Sequence, residues 1–342
     1  ALIAAASGVP TIGWVHNFAM RSVYDMKDMV SFIREHSPSL ATLVTLSELD
    51  VAFWKLQGIQ HSVYLPNPPS PMLLKSAALE ALKTGPTSHL ELIWWGRLEQ
   101  HTKQVRQLVD VAVELKKQEV DFRLRIIGPE WANLTPKKLH KYAERRGVGT
   151  EVEVPGPLRG QALLDAIDAA DIFVNTSIIE GYPLTLVEAQ ARGLPIAMYE
   201  MDWLTIVQGN AGIVSAPQGD AYRLAVRIKE LAHTPGRYAE ASQAALGTAQ
   251  RALALDFSEI YRQLLSGSLP EEYCPEPSLA DAEKLIDYIV FFAERNAGRG
   301  GMTGTSTVSR QRKLLYAGLK KANRMVPGMK PLKRQAKRLL IR

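Results

Sequence analysis

Between residues 91 and 214 the chain sets down six short apolar runs, near 91–95, 122–127, 151–154, 171–175, 194–198 and 212–214, with helix-like stretches between them. Runs this short and this rich in β-branched and aromatic residues read as strands. Strands that alternate with helices pair side by side through crossovers, so the segment is constrained to a parallel, doubly wound α/β sheet. Ligands of such sheets bind beyond the carboxyl ends of the strands. Arg97, Gly128, Gly156 and Glu180 each follow a strand end and are predicted to share one rim.

A second, shorter βα series occupies residues 10–65. Strand-like runs at 11–15, 41–46 and 62–65 alternate with helical stretches near 25–35 and 48–57. Pro66-Asn67-Pro68-Pro69-Ser70-Pro71 then breaks all periodicity. The predicted organisation is a partial Rossmann-like domain over 1–70, a linker over 71–88, and a second Rossmann-like domain over 89–265. C-terminal helices follow over 266–298 and a basic tail over 299–342. Residues 1–7 are read as half of an internal helix, since a signal peptide would need a basic start.

The segment Glu180-Gly181-Tyr182-Pro183-Leu184-Thr185-Leu186-Val187-Glu188 carries the chemistry. Pro183 suits the first helical position and Gly193 the left-handed stop, which predicts a helix over 183–192. Two glutamates eight positions apart within one helix would lie more than two turns distant. With Glu180 in the loop and Glu188 in the second turn, both can flank one ligand. The amides of Leu184, Thr185 and Leu186 would then open the helix toward an anion. Taken alone, such a spacing is usually accidental, because glutamate is common on helices. Here the strand before it, the Gly-Tyr-Pro turn and the Gly-Leu-Pro exit occur in order.

Composition excludes several classes. The lone Cys274 permits no internal disulfide. No apolar run reaches the roughly 18 residues of a membrane span. Asp165 and Asp168 fall on a helix and Asp171 opens a strand. With no His/Cys cluster and no Walker loop, neither a metal site nor a P-loop is expected. Trp94 and Trp95 are expected in the core. The net charge of +6 hides an asymmetry: residues 299–342 hold 13 basic residues and no acidic one, which leaves −7 on the remainder. Leu315, Leu319, Ala322 and Val326 recur at helical spacing opposite Lys313, Lys320, Lys321 and Arg324. Residues 310–342 therefore suit an anionic membrane surface. A disordered solubilising tail is the next reading, and a nucleic-acid contact the least favoured.

Taken with Leu92-Ile93-Trp94-Trp95-Gly96-Arg97-Leu98, Lys103, Leu124 to Pro129 and Val152 to Leu158, the Glu-x7-Glu segment resembles the retaining, GT-B-fold glycosyltransferases of family 4. The resemblance runs through most of residues 9–265, including Gly13-Trp14-Val15-His16-Asn17, Val44 to Glu48 and Leu65 to Pro68. It implies two Rossmann-like domains, the first incomplete because the leading strands and acceptor loop would precede Ala1. The last helices would cross back to that first domain. It also implies a donor with a diphosphate that needs fixed positive charge as the sugar leaves. Arg97 and Lys103 would supply that charge, Glu188 would take the ribose hydroxyls, and Glu180 would face the donor sugar. His16 would face the same sugar from the first domain. Gly156 and Leu158 would flank the base, and Ser177 would line the pocket or cap a turn. A proline at 183 removes one amide that many members offer.

The expected activity is transfer of a sugar from a nucleotide-diphosphate sugar to a hydroxyl of a glycan or lipid-linked acceptor, without a metal or cofactor. Cell-envelope or capsular glycan synthesis at the cytoplasmic membrane face is the implied setting. The rivals are another GT-B enzyme, such as an epimerase or an inverting polyol-phosphate transferase, and a non-catalytic nucleotide-binding fragment.

Overall fold

A computed structural model of the protein describes residues 8–70, 82–86 and 89–299. It divides into two compact units, one of residues 1–66 with 261–342 and one of residues 67–260. The segment 1–7, most of the 71–88 linker and the tail 300–342 lie outside the described residues.

The first unit carries three parallel strands in the order β1 (Ile12–Trp14), β2 (Thr42–Thr45), β3 (Ser62–Tyr64). The helical stretch expected near 25–35 is α2 (Met29–His36), and a short helix that was not expected, α1 (Arg21–Asp25), precedes it. Met26 takes a left-handed φ of 55° that ends α1, and the Asp28 carboxylate accepts from Ser31 N–H to start α2. Local capping thus sets the boundary between the two helices. Helix α3 (Glu48–Leu56) is capped by Ser47, whose hydroxyl oxygen accepts the Asp50 N–H. The helix Leu279–Arg299 packs on α1 and α3 within the same unit, and Asn296 Nδ2 donates to the Val23 carbonyl at 2.6 Å. Buried Lys55 of α3 donates to Cys274 O and to Glu276 Oε1, tying the approach to that helix.

Asp50 makes a pH prediction. Its buried carboxylate accepts the Ala19 N–H at 2.7 Å and the Ser47 hydroxyl at 3.0 Å. Burial outweighs these bonds and pushes its pKa up to about 7. A carboxyl whose folded pKa is raised binds its proton more tightly in the fold than in the unfolded chain, so it costs stability as pH rises through the interval up to about 7. Asp50→Asn is expected to flatten that loss in chemical denaturation series from pH 4 to 8. An unchanged pH slope would remove Asp50 as its source.

The second unit holds six parallel strands: β4 (Leu90–Trp95), β5 (Phe122–Ile127), β6 (Val152–Gly156), β7 (Ile172–Asn175), β8 (Ile196–Tyr199) and β9 (Ile213–Ala216). Their order across the sheet is β6-β5-β4-β7-β8-β9. The chain starts in the middle, walks outward to β6, then returns beside β4 and walks the other way. This is the doubly wound order with one reversal, between β4 and β7. The helices between strands are α4 (Val105–Lys117), α5 (Pro136–Arg145), α6 (Gln161–Asp168) and α7 (Leu184–Ala191). After β9 come α8 (Ala221–Ala232), α9 (Pro235–Leu253) and α10 (Phe257–Ser266), with α8 packed on α4 and α9 on α7. Strands β7 and β8 are buried along their whole length, as a sheet covered on both faces requires.

Pairing continues past the strand ends through glycines. Gly96 N–H donates to Ile127 O, and Gly128 N–H donates to Gly156 O. A Cβ on Gly128 would stand 1.7 Å from the Gly96 carbonyl oxygen, so the two turns close only over a bare backbone. Among the described residues no helix is long and apolar enough to cross a membrane.

Candidate active site

The reversal between β4 and β7 opens a crevice at the carboxyl ends of those two strands, and the loops after them carry the candidate residues. The β4 loop runs from Gly96 to Gln104 and the β7 loop from Thr176 to Pro183. Ile178 N–H donates to Thr102 O at 2.8 Å, and the Thr176 hydroxyl donates to the carbonyls of Lys103 and Gln104. Gln104 adopts a left-handed φ of 52° that turns the chain into α4. Lys103 is thus held in the loop ahead of α4, rather than in the helix. Its backbone is fixed by Thr176 before any ligand is considered.

At this seam Lys103 Nζ stands 2.6 Å from Glu180 Oε1, the two side chains being 22% and 11% exposed. Expected to serve phosphate and sugar separately, these two residues are paired with each other across 77 positions of chain. Glu180 is further located by Trp203, whose indole N–H donates to the Glu180 carbonyl at 2.9 Å.

Arg97 Cζ lies over the Trp131 ring, 4.4 Å from its centroid, and the guanidinium approaches Glu99 at 3.4 Å. Trp131 remains 46% exposed at the same rim, on a loop stitched to the Arg97 loop by Leu98 N–H to Pro129 O. A guanidinium over an indole face is held there by cation–π attraction. The sequence reading had no signal for Trp131, because a lone aromatic after a strand end is indistinguishable from a loop filler.

Helix α7 begins one residue later than expected. Pro183 is the N-cap, with an extended ψ of 104°, and its carbonyl accepts the Leu186 N–H at 3.1 Å. A fixed φ near −76° is compatible with either ψ, so proline chemistry alone did not decide the position. The Leu186 amide is consequently spent inside the first turn. The first-turn amides of Leu184 and Thr185 have no intrahelical acceptor in any α-helix and face outward with the positive end of the dipole. Gly193, at φ 68°, closes the helix as expected.

Glu188 lies in the second turn of α7. Burial raises its pKa, and the hydrogen bond that Trp95 Nε1 donates to its Oε2 at 3.1 Å opposes the shift. Trp95 is buried, as expected, but its indole edge is part of the site, which the expectation of a purely core role missed. Its ring lies 4.5 Å from that of Phe173 on the adjoining strand.

Gly156 ends β6, joined to the rim through Gly128, and Leu158 follows in the next loop. Among the described residues no hydrogen bond or ion pair links either of them to the two glutamates. Ser177 is buried and its backbone N–H donates to Asn175 Oδ1, so the side chain that closes the turn after β7 is that of Asn175, not Ser177. Asp171 accepts the Glu91 N–H and Asp168 pairs with Arg192, roles internal to the fold. Among the described residues no group of three or more His, Cys, Asp or Glu side chains is placed to hold a metal ion. His16 belongs to the first unit, where it is exposed after β1 and stacked on Trp14 at 5.9 Å.

Residues 89–234 match the family described as glycosyl transferases group 1. The chain is 29% identical over 185 residues to the D-inositol 3-phosphate glycosyltransferase of Corynebacterium aurimucosum, covering 52% of this chain and 44% of that protein. It is also 29% identical over 197 residues to the putative colanic acid biosynthesis glycosyltransferase WcaL of Salmonella typhimurium, covering 53% and 45%. The chain thus spans less than half the length of these relatives. Among solved structures, sucrose-phosphate synthase from Thermosynechococcus elongatus superposes with a TM-score of 0.61 at 17% identity, over 76% of this chain and 69% of that one. Anabaena HepE in complex with UDP superposes with a TM-score of 0.59 at 16% identity, over 77% and 73%. These likenesses establish the GT-B fold.

Proposed function

We propose, from the glycosyl transferases group 1 domain that residues 89–234 carry, that the chain belongs to an enzyme transferring a sugar from a nucleotide-diphosphate sugar to a hydroxyl acceptor. The observation that carries this reading is that Arg97, Lys103 and Glu180 lie in the two mutually bonded loops at the β4/β7 reversal, while Glu188 of α7 accepts from Trp95 of β4. Cleavage of the sugar–phosphate bond leaves negative charge on the diphosphate and positive character on the anomeric carbon. Arg97, Lys103 and the first amides of α7 would answer the first, and Glu180 the second. The Lys103 ammonium has three donors, so it can bond a phosphate oxygen without releasing Glu180. Glu188 would hold the ribose, and Gly156 and Leu158 the base.

We further propose retention of configuration, with the acceptor hydroxyl attacking from the face the diphosphate leaves and passing its proton to that diphosphate. Charge neutralisation by Arg97 and Lys103 supports a reaction that needs no metal. HepE was solved with UDP, which makes uridine donors the first to try. The match to WcaL supports a glycan or lipid-linked acceptor of the cell envelope. Incubation with UDP-, GDP- and ADP-sugars in EDTA, followed by proton NMR of the product, is expected to show transfer with the donor's anomeric configuration. An inverted anomer would sink the retaining mechanism, and nucleotide binding without transfer or hydrolysis would favour a binding module.

The 13 basic residues of 299–342 support docking on an anionic membrane surface at the cytoplasmic face. Removing the tail is expected to abolish cosedimentation with phosphatidylserine vesicles at moderate salt. Equal sedimentation of both chains would discard the tail as the anchor.

A further inference from the structure

We infer that Trp95 is a positioning residue whose indole N–H holds the Glu188 carboxylate in the orientation that accepts a vicinal diol. The inference rests on the proposed reading of Glu188 as the ribose ligand. A carboxylate offers about four lone-pair directions, and a vicinal diol presents two hydroxyl donors. Trp95 Nε1 occupies one direction on Oε2 at 3.1 Å, which stops rotation about the terminal bond and leaves the other directions for the diol. The donor is uncharged, so it orients the anion without neutralising it. A lysine there would compete with the ligand as an ion pair, as the Lys103 ammonium pairs with Glu180 in the same crevice. Glu188 itself has no ion pair among the described residues.

Packing alone does not require this bond. Trp14 and Trp54 bury their indole nitrogens with no hydrogen-bond partner among the described residues, so the fold tolerates an unanswered indole. Trp95 instead directs its N–H at the one partly buried carboxylate of α7, and Phe173 fixes the ring from the neighbouring strand. The sequence distance of 93 residues between donor and acceptor makes the contact a property of the β4/α7 juxtaposition, not of local structure.

The test is calorimetry with UDP, GDP and ADP, followed by the 2′-deoxy form of whichever binds most tightly. Wild type, Trp95→Phe, Glu188→Gln and the double variant are compared, with Trp95→Leu as a second variant should the phenylalanine variant fold poorly. Trp95→Phe is expected to weaken the ribonucleotide about tenfold, the scale of one hydrogen bond to a charged group. It should weaken the 2′-deoxy form much less, and add little on the Glu188→Gln background. The pH below which affinity is lost should also rise in Trp95→Phe, because the indole bond opposes protonation of Glu188. Equal losses for both nucleotides in Trp95→Phe, with Glu188→Gln costing the ribonucleotide more than its 2′-deoxy form, would overturn the positioning role and leave Glu188 as the ribose ligand. Equal losses for the ribonucleotide and its 2′-deoxy form in Glu188→Gln, or binding of none of the three nucleotides, would overturn the ribose reading and the inference with it.

Discussion

Replacing Lys103 by alanine is expected to lower kcat by about two to three orders of magnitude, the cost of removing one fixed charge aimed at a developing anion. The lysine is not a mobile surface cation. Its backbone carbonyl accepts from Thr176, its neighbour Thr102 accepts from Ile178, and its ammonium stands 2.6 Å from Glu180. A group so placed contributes without reorganising when the diphosphate departs. The same substitution should also cost about 1 to 2 kcal/mol of stability, because it strands a mostly buried carboxylate; the pair retains some solvent contact, so the cost falls below that of a fully buried bridge. The two effects separate in the double variant Lys103→Ala with Glu180→Gln, which is expected to recover the stability and none of the turnover. Stopped assays of donor consumption, alongside urea unfolding, make the comparison. A kcat within threefold of wild type for Lys103→Ala would remove the lysine from catalysis.

What the residues disclose in advance divides by the range of the interaction involved. Strand ends at Trp95, Ile127 and Asn175 are legible because an apolar run and a turn residue are adjacent in the chain. Gly193 as the stop of α7 is legible for the same reason, since a left-handed cap needs no partner far away. The short helix α1 is not legible although the causes of its end are local: Met26 is an unremarkable residue at a left-handed φ, and Asp28, which starts α2, has no more pronounced signature than any other aspartate. The Lys103–Glu180 pair and the Trp95–Glu188 bond span 77 and 93 residues. Periodicity cannot reveal such partners. The strand order can, because once β4 and β7 are neighbours their loops must meet, and the residues already singled out for chemistry become candidates for one another. Trp131 lay beyond this reasoning, since its value comes from the ring face it offers to Arg97.

The largest effect on the fold should come from a single methyl group. Gly128→Ala would place a Cβ 1.7 Å from the Gly96 carbonyl oxygen and 2.8 Å from the carbon behind it. Both atoms are backbone, so no side-chain rotation relieves the overlap; the turns after β4 and β5 must separate. Separation breaks the Gly96 and Gly128 bonds that extend the ladder, along with the Leu98 to Pro129 bond that holds the Arg97 loop. A loss of at least about 4 kcal/mol follows, in the range reserved for a broken backbone arrangement. For a unit of this size that is a fall in Tm of about 10 °C or more. Gly156→Ala supplies the contrast. Gly156 has a left-handed φ of 90°, yet a Cβ there would meet nothing nearer than Pro136 Cγ at 3.8 Å. Its cost should be that of backbone strain alone, about 1 to 2 kcal/mol. If thermal scans rank the two variants equally, close approach of the two turns is not what demands glycine at 128. If Gly128→Ala is the weaker by the expected margin while both retain the same sheet content, the rim that presents Arg97 and Lys103 depends on a bare backbone crossing beneath it.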